Sequence, residues 1–437
     1  MSYARLTGVT HHEPDAAHDS LVLFTGADSV TRLIDPAGTV VKEWPYAGVP
    51  PRILDPALTG GRLGDIGVQL SESGDGRGGI YANGTVGQLD WEGAPVWEWG
   101  RQAPGGAARQ NHDWQLLPNG NRLLLVTVPR VVAQLGIADV VGDQGLYEVA
   151  PDGEIVWQWL AGDHLDEFGF SETGRTALRD TAARDPEDPW GYLEMNSATP
   201  LGPNKWFDQD PGSVFHPDNI LVSFRKANVI AVVDRATGAV VWRLGPYFDE
   251  APGSQHQRIN AHSVPRPVDQ ISGQHNPHLI AAGLPGAGNI LVFDNQGGAG
   301  YPPAPLGIYA GSRVLEIDPT TRQIVWQYTA EDSGRPSWTF FSSFVSNAQR
   351  LPNGNTLVTE GMRGRIFQVT AHGAVVWEYH SPYEGYGVAG EPEVREPRVP
   401  GVDRLTLTPL IYRAQAVPRD WVPTRAASAS DTEGAGS

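Results

Sequence analysis

The 437-residue chain contains no cysteine, which excludes disulfide bonds, thiolate metal ligands and a cysteine nucleophile. It has no cluster of lysine and arginine, and its formal net charge is −18. Because nucleic acids and anionic membranes are bound through clustered cations, we expect neither as a partner. No segment approaches the roughly 18–20 apolar residues of a membrane-spanning helix. The opening MSYARLTGVTHHEPDAAHDS lacks a basic segment followed by an apolar one, so we expect no signal peptide and a cytoplasmic location.

Glycine, proline and tryptophan are abundant instead, with 52, 36 and 14 residues. Glycine and proline are scattered among strand-like segments, which indicates tight turns rather than disorder. One pattern recurs along the chain: an alternating strand, a turn such as Asp-Pro-x-Gly, and a second alternating strand that carries a tryptophan. Each copy predicts a β-hairpin. The recurring tryptophans are Trp44, Trp97, Trp157, Trp242, Trp326 and Trp377.

Further strands precede several of these hairpins, as in NHDWQLLPNGNRLLLVT and NAQRLPNGNTLVTE. Four strands repeated six times predict an all-β fold, a six-bladed β-propeller with four-stranded blades. We expect the recurring tryptophan to pack between neighbouring blades. The long gaps from Trp157 to Trp242 and from Trp242 to Trp326 indicate insertions in blades three to five. Insertions in a propeller lie on one face, where functional sites usually lie.

A second domain is not required by this pattern. We predict a single propeller domain over residues 1–423, in which the segment 404–418, RLTLTPLIYRAQAVP, forms a strand that closes the ring beside the N-terminal strand. Residues 424–437 are small and polar, and we expect them to form a flexible tail.

The innermost strand of each propeller blade lines the central channel, so side chains from different blades can meet at one mouth of that channel. Arg225 follows the strand NILVSF and would present a planar fork to two oxygens of an oxyanion. His112 is a candidate base, with Asp113 beside it as a possible orienting carboxylate. The candidates at the ends of predicted innermost strands or in the insertions are His112, His164, Glu194, Asn196, Arg225, His275 and His278.

Two of these histidines lie in the stretch GQHNPHLIAAGLPGAGNILVFDN, which begins at Gly273. His275 and His278 have the spacing of a ligand pair on a helix, but Pro277 argues against a helix here. We predict that His275 faces the substrate, while His278 orients it or joins a metal ion.

Five collinear segments of the chain resemble the arylsulfate sulfotransferase (arylsulfotransferase-like) family. They are NHDWQLLPNGN, DHL, MNSA followed by NILVSFR, GQHNPH with GAGNILVFDN, and NAQRLPNGNTLVTEG. The resemblance implies a six-bladed propeller whose channel binds an aryl sulfate, a small aromatic substrate. A histidine would attack sulfur, and the sulfohistidine would pass the sulfuryl group to an acceptor phenol. No cofactor and no nucleotide sulfate donor would be required.

The resemblance also assigns residues. The histidine of the family's GQH motif matches His275, which would be the nucleophile, and the histidine before LPNGN matches His112. The family's active-site asparagine matches Asn196 and its arginine matches Arg225. A neutral imidazole is nucleophilic at pH 7, and Arg225, Asn196 and His112 could hold the three sulfuryl oxygens.

The chain departs from the family pattern at Glu194, because the family has a histidine two residues before the matching asparagine. A carboxylate about 4 Å from a sulfate costs roughly 4 kcal/mol at an effective dielectric constant near 20. We therefore expect Glu194 to be protonated, turned away, paired with Arg225 or used for other chemistry.

This departure leaves two alternatives open. In the first, His112, Glu194, His275 and His278 bind a divalent transition metal ion, and the protein is a metal-dependent hydrolase or lyase; a metal-free variant keeps Glu194 as a general base. In the second, the propeller is a non-catalytic binding module. For the sulfotransferase, the predicted catalytic residues are His275, His112, Arg225 and Glu194, and the predicted substrate-binding residues are Asn196, His278 and His164.

Overall fold

A computed structural model describes residues 6–70, 83–186, 188, 190–246, 271–303, 311–385 and 408–424. Six antiparallel sheets surround one axis, and the innermost strands of successive sheets contact each other around it. The predicted six-bladed β-propeller is therefore confirmed. Blade 1 contains β2 (Leu21–Thr25), β3 (Thr31–Ile34) and β4 (Val40–Trp44). Blade 2 contains β5 (Arg52–Ile53), β6 (Ile66–Gln69), β7 (Val86–Leu89) and β8 (Pro95–Trp99).

The next three blades follow in chain order. Blade 3 contains β9 (Gln110–Leu116), β10 (Arg122–Val131), β11 (Val140–Val149) and β12 (Ile155–Leu160). Blade 4 contains β13 (Met195–Pro200), β14 (Ile220–Phe224), β15 (Val229–Val233) and β16 (Val240–Leu244). Blade 5 contains β17 (His275–Leu279), β18 (Ile290–Asp294), β19 (Arg313–Asp318) and β20 (Gln323–Tyr328).

The two ends of the chain join blades 6 and 1. Blade 6 contains β21 (Asn347–Arg350), β22 (Thr356–Glu360), β23 (Arg365–Val369) and β24 (Val375–His380), with β1 (Gly8–His12) as a fifth, outer strand. The last strand, β25 (Ala414–Val417), is innermost in blade 1 and pairs with β2. Each terminus therefore completes a sheet that begins at the other end of the chain.

The strand β25 lies within the predicted ring-closing segment 404–418 but is shorter, and residues 404–407 lie outside the described part of the chain. Of the predicted tail 424–437, only Thr424 is described. The proposed domain limits stay a prediction.

The tryptophans of the outer strands connect each blade to the next one. In five blades a tryptophan Nε1 donates a hydrogen bond to a carbonyl in the turn between the two outer strands of the following blade. In blades 2 and 3 the donor is the second tryptophan of a Trp-x-Trp pair, while the predicted Trp97 and Trp157 lie beneath arginines of the next blade. The donor–acceptor pairs are Trp99–Gly153, Trp159–Gly238, Trp242–Pro319, Trp326–Ala371 and Trp377–Pro36.

The antiparallel order of each blade places its connections on two opposite faces. The link between blades and the loop between the second and third strands lie on one face, and the two hairpin turns lie on the other. The helix α1 (Glu172–Arg184) and the connections from β16 to β17 and from β18 to β19 are of the first kind, so the described parts of these three connections share one face. The prediction that all the insertions lie on one face is wrong for the long hairpin between β13 and β14, which lies on the other face. Ser171 caps α1 by accepting from the Gly174 amide. A second short helix, α2 (Lys205–Gln209), lies in the hairpin between β13 and β14.

The hydrophobic core runs between the blades rather than at the axis. Buried aliphatic and aromatic side chains from neighbouring sheets form clusters, for example Phe24 with Tyr379 across blades 1 and 6. Neither helix of the described residues is long and apolar enough to cross a bilayer. The axis itself is lined by polar side chains, so we expect a functional site there.

Candidate active site

One cavity opens where the innermost strands begin, on the face that carries the insertions. This rim cavity has a volume of about 240 Å³. Its lining side chains come from blades 3 to 6 and from the segment before the closing strand of blade 1. They are His112, Trp190, Glu194, Arg225, Lys226, His275, Phe344, Val345 and Tyr412.

Local irregularities turn several side chains towards this cavity. His112 in β9, Glu194 just before β13 and Asn276 in β17 have φ angles of 53°, 51° and 50°. Non-glycine residues rarely occupy this left-handed region, and such strain concentrates at functional sites. At or beside each of these residues, the pairing with the second strand of the blade shifts register. A bulge of this kind re-aims a side chain that a regular strand would point elsewhere.

His275 is held in one tautomer. Its Nδ1 lies 2.7 Å from Asn295 Oδ1 and 3.0 Å from the Gly273 carbonyl oxygen. Because a carbonyl oxygen only accepts hydrogen bonds, Nδ1 carries the proton. Nε2 therefore keeps its lone pair, and the Val345 N–H donates to it at 3.1 Å.

The His275 ring is also kept uncharged. Burial holds its pKa well below the usual value for histidine, and the positive charges of Arg225 and Arg413 lower that pKa further. The Asn295 contact favours the charged form but does not reverse the direction. A buried, neutral imidazole with a lone pair on Nε2 is a nucleophile that needs no prior deprotonation.

His112 is held in the same tautomer as His275. Its Nδ1 is 2.8 Å from Asn111 Oδ1, and Asn111 Nδ2 donates to Thr127 Oγ1, which fixes the orientation of the amide. Nδ1 is thus protonated, and Nε2, which has no hydrogen-bond partner among the described residues, holds a lone pair. Burial keeps the pKa of His112 well below its usual value, and His275 lowers it further. The Tyr412 ring lies between the two histidines, 6.0 Å from His112 and 6.3 Å from His275.

The prediction that the Asp113 carboxylate orients His112 is wrong. The left-handed bulge at His112 interrupts the alternation of the strand, so Asn111 lies beside the imidazole and Asp113 points away from it. Its two oxygens instead accept from Arg52 and Arg413, each at 2.9 Å. The group that orients His112 is the amide of Asn111.

Glu194 and Arg225 form an ion pair inside the rim cavity. Arg225 Nη1 donates to Glu194 Oε2 at 3.0 Å, and Nη2 lies 3.4 Å from the Ser343 carbonyl oxygen. The Arg225 Nε is buried and has no partner among the described residues. The sequence led us to expect Glu194 to be protonated, turned away, paired with Arg225 or used for other chemistry, and the structure shows it paired with Arg225. The charge of Arg225 is therefore shared between Glu194 and any anion in the cavity.

Asn196 lies beneath the rim cavity and does not line it. Its Nδ2 donates to the Gln274 carbonyl oxygen at 2.8 Å, directly before His275, and its carbonyl oxygen accepts from Arg413 at 2.6 Å. Asn196 Oδ1 is buried without a partner in the described part of the chain. Arg413 also pairs with Asp113, so this polar layer connects blades 1, 3 and 4 across the axis.

A second, axial cavity of about 260 Å³ lies on the other side of this layer. His278 lines it, so the two histidines of the HNPH segment face different cavities. His278 Nδ1 donates to the Asn276 carbonyl oxygen at 3.0 Å. Other polar residues of the lining come from the innermost strands of the remaining blades: Arg52, Gln115, Thr199, Gln349 and Gln415.

The structure places His164 away from both cavities. Its ring stacks on Trp159, with centroids 5.0 Å apart, and its Nδ1 lies 2.7 Å from Glu167 Oε1. Both contacts lie at the outer side of blades 3 and 4. His164 therefore caps a tryptophan between blades and is not a substrate-binding residue of the rim cavity.

The alternative metal set is not assembled either. His112, Glu194 and His275 line the rim cavity, but His278 lies in the axial cavity, because the bulge at Asn276 separates the two histidines. Within the described ranges, no group of three or more histidine, aspartate or glutamate side chains could hold a metal ion. Glu194 is paired with Arg225.

Sequence reasoning missed several residues of the rim cavity. Tyr412 lies two residues before the closing strand β25, and His275 and His112 also lie near the starts of innermost strands, so its position was a usable signal. Trp190 lies outside the hairpin repeat and has no place in the repeated packing, which was a second signal. Phe344 and Val345 come from a connection between blades with no pattern that would single them out.

The fold and the site define a six-bladed β-propeller with a cavity at one end of its axis that histidine and arginine side chains line. The family model described as Arylsulfotransferase (ASST) matches residues 9–381. The chain therefore belongs to the arylsulfotransferase family. This membership supports sulfuryl transfer from aryl sulfates as the reaction class.

Other comparisons carry no argument about function. No curated protein matches the chain significantly. A protein of unknown function from Bacteroides caccae is similar at 13% identity, with 91% of this chain and 98% of that chain covered and a TM-score of 0.45. Virginiamycin B lyase from Staphylococcus aureus is similar at 12% identity, with 87% and 86% covered and a TM-score of 0.37.

Proposed function

We propose that the protein transfers a sulfuryl group from an aryl sulfate to a phenolic acceptor through a sulfohistidine at His275. The observation that carries this proposal is the state of His275 in the rim cavity. Its Nδ1 proton is donated to Asn295 and Gly273, and its ring lines the cavity with Nε2 unprotonated. The Val345 N–H donates to Nε2, and this hydrogen bond must break before the lone pair attacks sulfur. Nucleophilic catalysis requires such an unprotonated, oriented atom.

In the first half-reaction the Nε2 lone pair forms a bond to sulfur, and the bond between sulfur and the aryl oxygen breaks with its electron pair on that oxygen. Arg225 supplies positive charge beside the sulfuryl oxygens, and the Val345 N–H, which touches Nε2, can donate to one of them. The rings of Trp190, Phe344 and Tyr412 provide apolar walls for the aryl group.

In the second half-reaction the acceptor oxygen attacks sulfur, and the bond between sulfur and Nε2 breaks. The phenolic proton must leave at the same time, and the bare Nε2 of His112 can accept it. His112 is neutral at rest and Glu194 is ion-paired, so neither donates a proton to the first leaving group. We therefore expect aryl sulfates with good leaving groups to be the better donors.

Glu194 distinguishes this chain from the family pattern. Its carboxylate competes with an anionic substrate for Arg225, because both bind the same guanidinium. We infer that Glu194 holds Arg225 in place in the free protein, and that it lowers the affinity for the sulfate group. The pair would have to loosen when the substrate binds.

The direct test is release of 4-nitrophenol from 4-nitrophenyl sulfate, with and without added phenol as acceptor. We expect turnover that rises with phenol and yields phenyl sulfate, and a peptide that gains one sulfuryl group at His275 when the donor is supplied alone and the protein is quenched. A sulfuryl group mapped to another residue would overturn the assignment of His275. The same release with free sulfate as the sole product would instead identify a sulfate-ester hydrolase.

The remaining alternatives correspond to other outcomes of this test. Turnover that requires an added divalent metal ion would favour the hydrolase or lyase. Tight binding of an aryl sulfate without any turnover would favour a binding module. Neither alternative is favoured by a specific contact in the described structure.

A further inference from the structure

Asn295 immediately follows β18, the second strand of blade 5, and is completely buried. It does not line the rim cavity, and no pattern of residue types along the chain singles it out. Its side-chain hydrogen bonds nevertheless go to two residues that line the cavity, His275 and Val345, and to Ser342, three residues before Val345.

The Asn295 side chain joins two parts of the site. Its Oδ1 accepts the Nδ1 proton of His275 at 2.7 Å. Its Nδ2 donates to the carbonyl oxygens of Ser342 and Val345, at 2.7 and 2.9 Å. The two carbonyl partners fix the orientation of the amide, since only the nitrogen can face them.

We propose that Asn295 is a positioning residue that sets the tautomer of His275 and holds the Val345 N–H against the Nε2 of the same ring. The consequence for catalysis depends on the proposed sulfuryl transfer, but the tautomer itself does not. Asn295 touches neither substrate nor the reacting atoms, so it would act entirely through His275 and the segment 342–346.

The choice of an amide rather than a carboxylate has a physical reason. A carboxylate at Nδ1 would favour the imidazolium, whose nitrogens have no lone pair for attack on sulfur. An amide oxygen accepts the same hydrogen bond without a negative charge, so the ring stays neutral. Asn111 provides the same contact to His112, so both histidines of the cavity are oriented by a neutral group.

The segment that Asn295 holds is strained. Val345 and Ser346 have φ angles of 56° and 88°, and a β-branched residue in this region is a conformational outlier. The two hydrogen bonds from Asn295, together with the Val345 N–H contact to His275, hold the segment in place. When sulfur approaches Nε2, the same N–H is within reach of a sulfuryl oxygen, so the donor is already in position.

Other charged or titratable groups also face His275, and they bear on any pH dependence. They belong to blades 1, 3 and 4 and are Arg413, Tyr412, His112, Glu194, Arg225 and Lys226. None of them contacts Nδ1. A substitution at Asn295 therefore acts on His275 through Nδ1 and removes none of these groups.

The first test uses the unmodified protein with ¹⁵N-labelled histidine, in the absence of any substrate. The NMR signals of His275, assigned by their loss in His275→Gln, should show a protonated Nδ1 and a bare Nε2. A ring protonated at Nε2 would overturn the proposal, whatever the activity of the protein.

The second test compares Asn295→Ala, Asn295→Asp and the matched control Asn204→Asp. Asn204 is also buried and donates through Nδ2 to two carbonyl oxygens, those of Gly202 and Phe215, but it caps α2 at the opposite face. Its substitution reproduces the lost donors without touching His275.

We expect Asn295→Ala to lower kcat on 4-nitrophenyl sulfate by roughly 10- to 100-fold with little change in KM, because the ring loses its fixed orientation. Asn295→Asp should keep the Nδ1-protonated tautomer and move the acidic limb of the pH–rate profile to higher pH. Asn204→Asp should leave kcat and the pH profile unchanged.

The outcomes separate the two proposals. If the unmodified protein shows no turnover, the proposed sulfuryl transfer fails, and the NMR signals still decide the tautomer. If turnover is present but Asn295→Asp has the pH profile of Asn204→Asp, the role of Asn295 is only structural and this inference fails.

Discussion

The rim cavity and the axial cavity lie on the same axis and are lined by the same innermost strands, yet their polar side chains behave differently. In the axial cavity glutamines connect one blade to the next. Gln115 donates to the Ala198 carbonyl at 2.7 Å, and Gln415 accepts from the Ile53 amide at 2.8 Å and donates to its carbonyl at 3.1 Å. These side chains hold the ring closed.

In the rim cavity the strands begin with bulges and left-handed residues, and the side chains face open space. His112 and His275 line this cavity and use Nδ1 for orientation, which leaves Nε2 unprotonated in both rings. The difference teaches that the histidines of the rim cavity lie where the regular pairing of the strands is interrupted.

The largest difference in activity is expected between variants of two histidines in the same strand. His275→Gln should reduce kcat/KM on 4-nitrophenyl sulfate by at least about a thousandfold, since it removes the proposed nucleophile. His278→Gln, three residues along β17 but in the axial cavity, should change it by less than about threefold. Circular dichroism should show that both variants are folded. An equal loss of kcat/KM in the two folded variants would show that the two cavities do not differ as described.

A smaller contrast is expected between two arginines. Arg225→Gln should lower kcat/KM by about 100- to 1,000-fold, because it removes positive charge beside the developing negative charge. Arg52→Gln, which removes a charge from the axial cavity, should leave kcat/KM within about threefold. Steady-state kinetics on both variants checks this pair, and an Arg52 effect as large as that of Arg225 would contradict it.

Glu194→Gln is expected to improve binding rather than impair it. The substitution keeps the size of the side chain and removes the charge that competes for Arg225, so KM for the aryl sulfate should fall by about tenfold. The measurement is KM for 4-nitrophenyl sulfate at low salt. A KM that rises would mean that the ion pair is needed to orient Arg225 for the substrate.

The smallest effect concerns pH. The pKa of His275 is held below its usual value by burial, and only the neutral ring is active, so activity should be lost only as the pH falls through this lowered pKa. The acidic limb of kcat/KM should therefore lie below about pH 6.5, where a free imidazole is half protonated. A limb at or above that pH, in the range where the protein remains folded, would contradict a neutral buried nucleophile.

Much of the fold could be predicted because a propeller repeats short-range signals. Alternating strands and tight turns are visible in each copy, and the recurring tryptophans do pack between blades. The pairing of β1 with β24 as a fifth strand had no comparable signal, since partners far apart in sequence leave no local pattern. For the same reason Trp99 and Trp159 could not be told from Trp97 and Trp157 as the hydrogen-bond donors to the next blade.

The candidate site was predicted in part. His112, Glu194, Arg225 and His275 all line the rim cavity, whereas Asn196, His164 and His278 do not. A histidine in a loop-like segment looks the same in either case, because the direction of its side chain depends on bulges that follow from pairing with another strand. Asp113 was misread for this reason, although it is adjacent to His112.

The sequence by itself determined that this chain forms six similar hairpin-based blades, because alternation and turn residues act over a few neighbouring positions. It also determined which residue types stand at the starts of the innermost strands. Only the tertiary structure decided that His275 and His278 face different cavities, that Glu194 is bound to Arg225, and that neutral amides orient both histidines of the rim cavity. Those outcomes depend on the direction of individual bonds between distant segments, which closing the ring establishes and local preference does not.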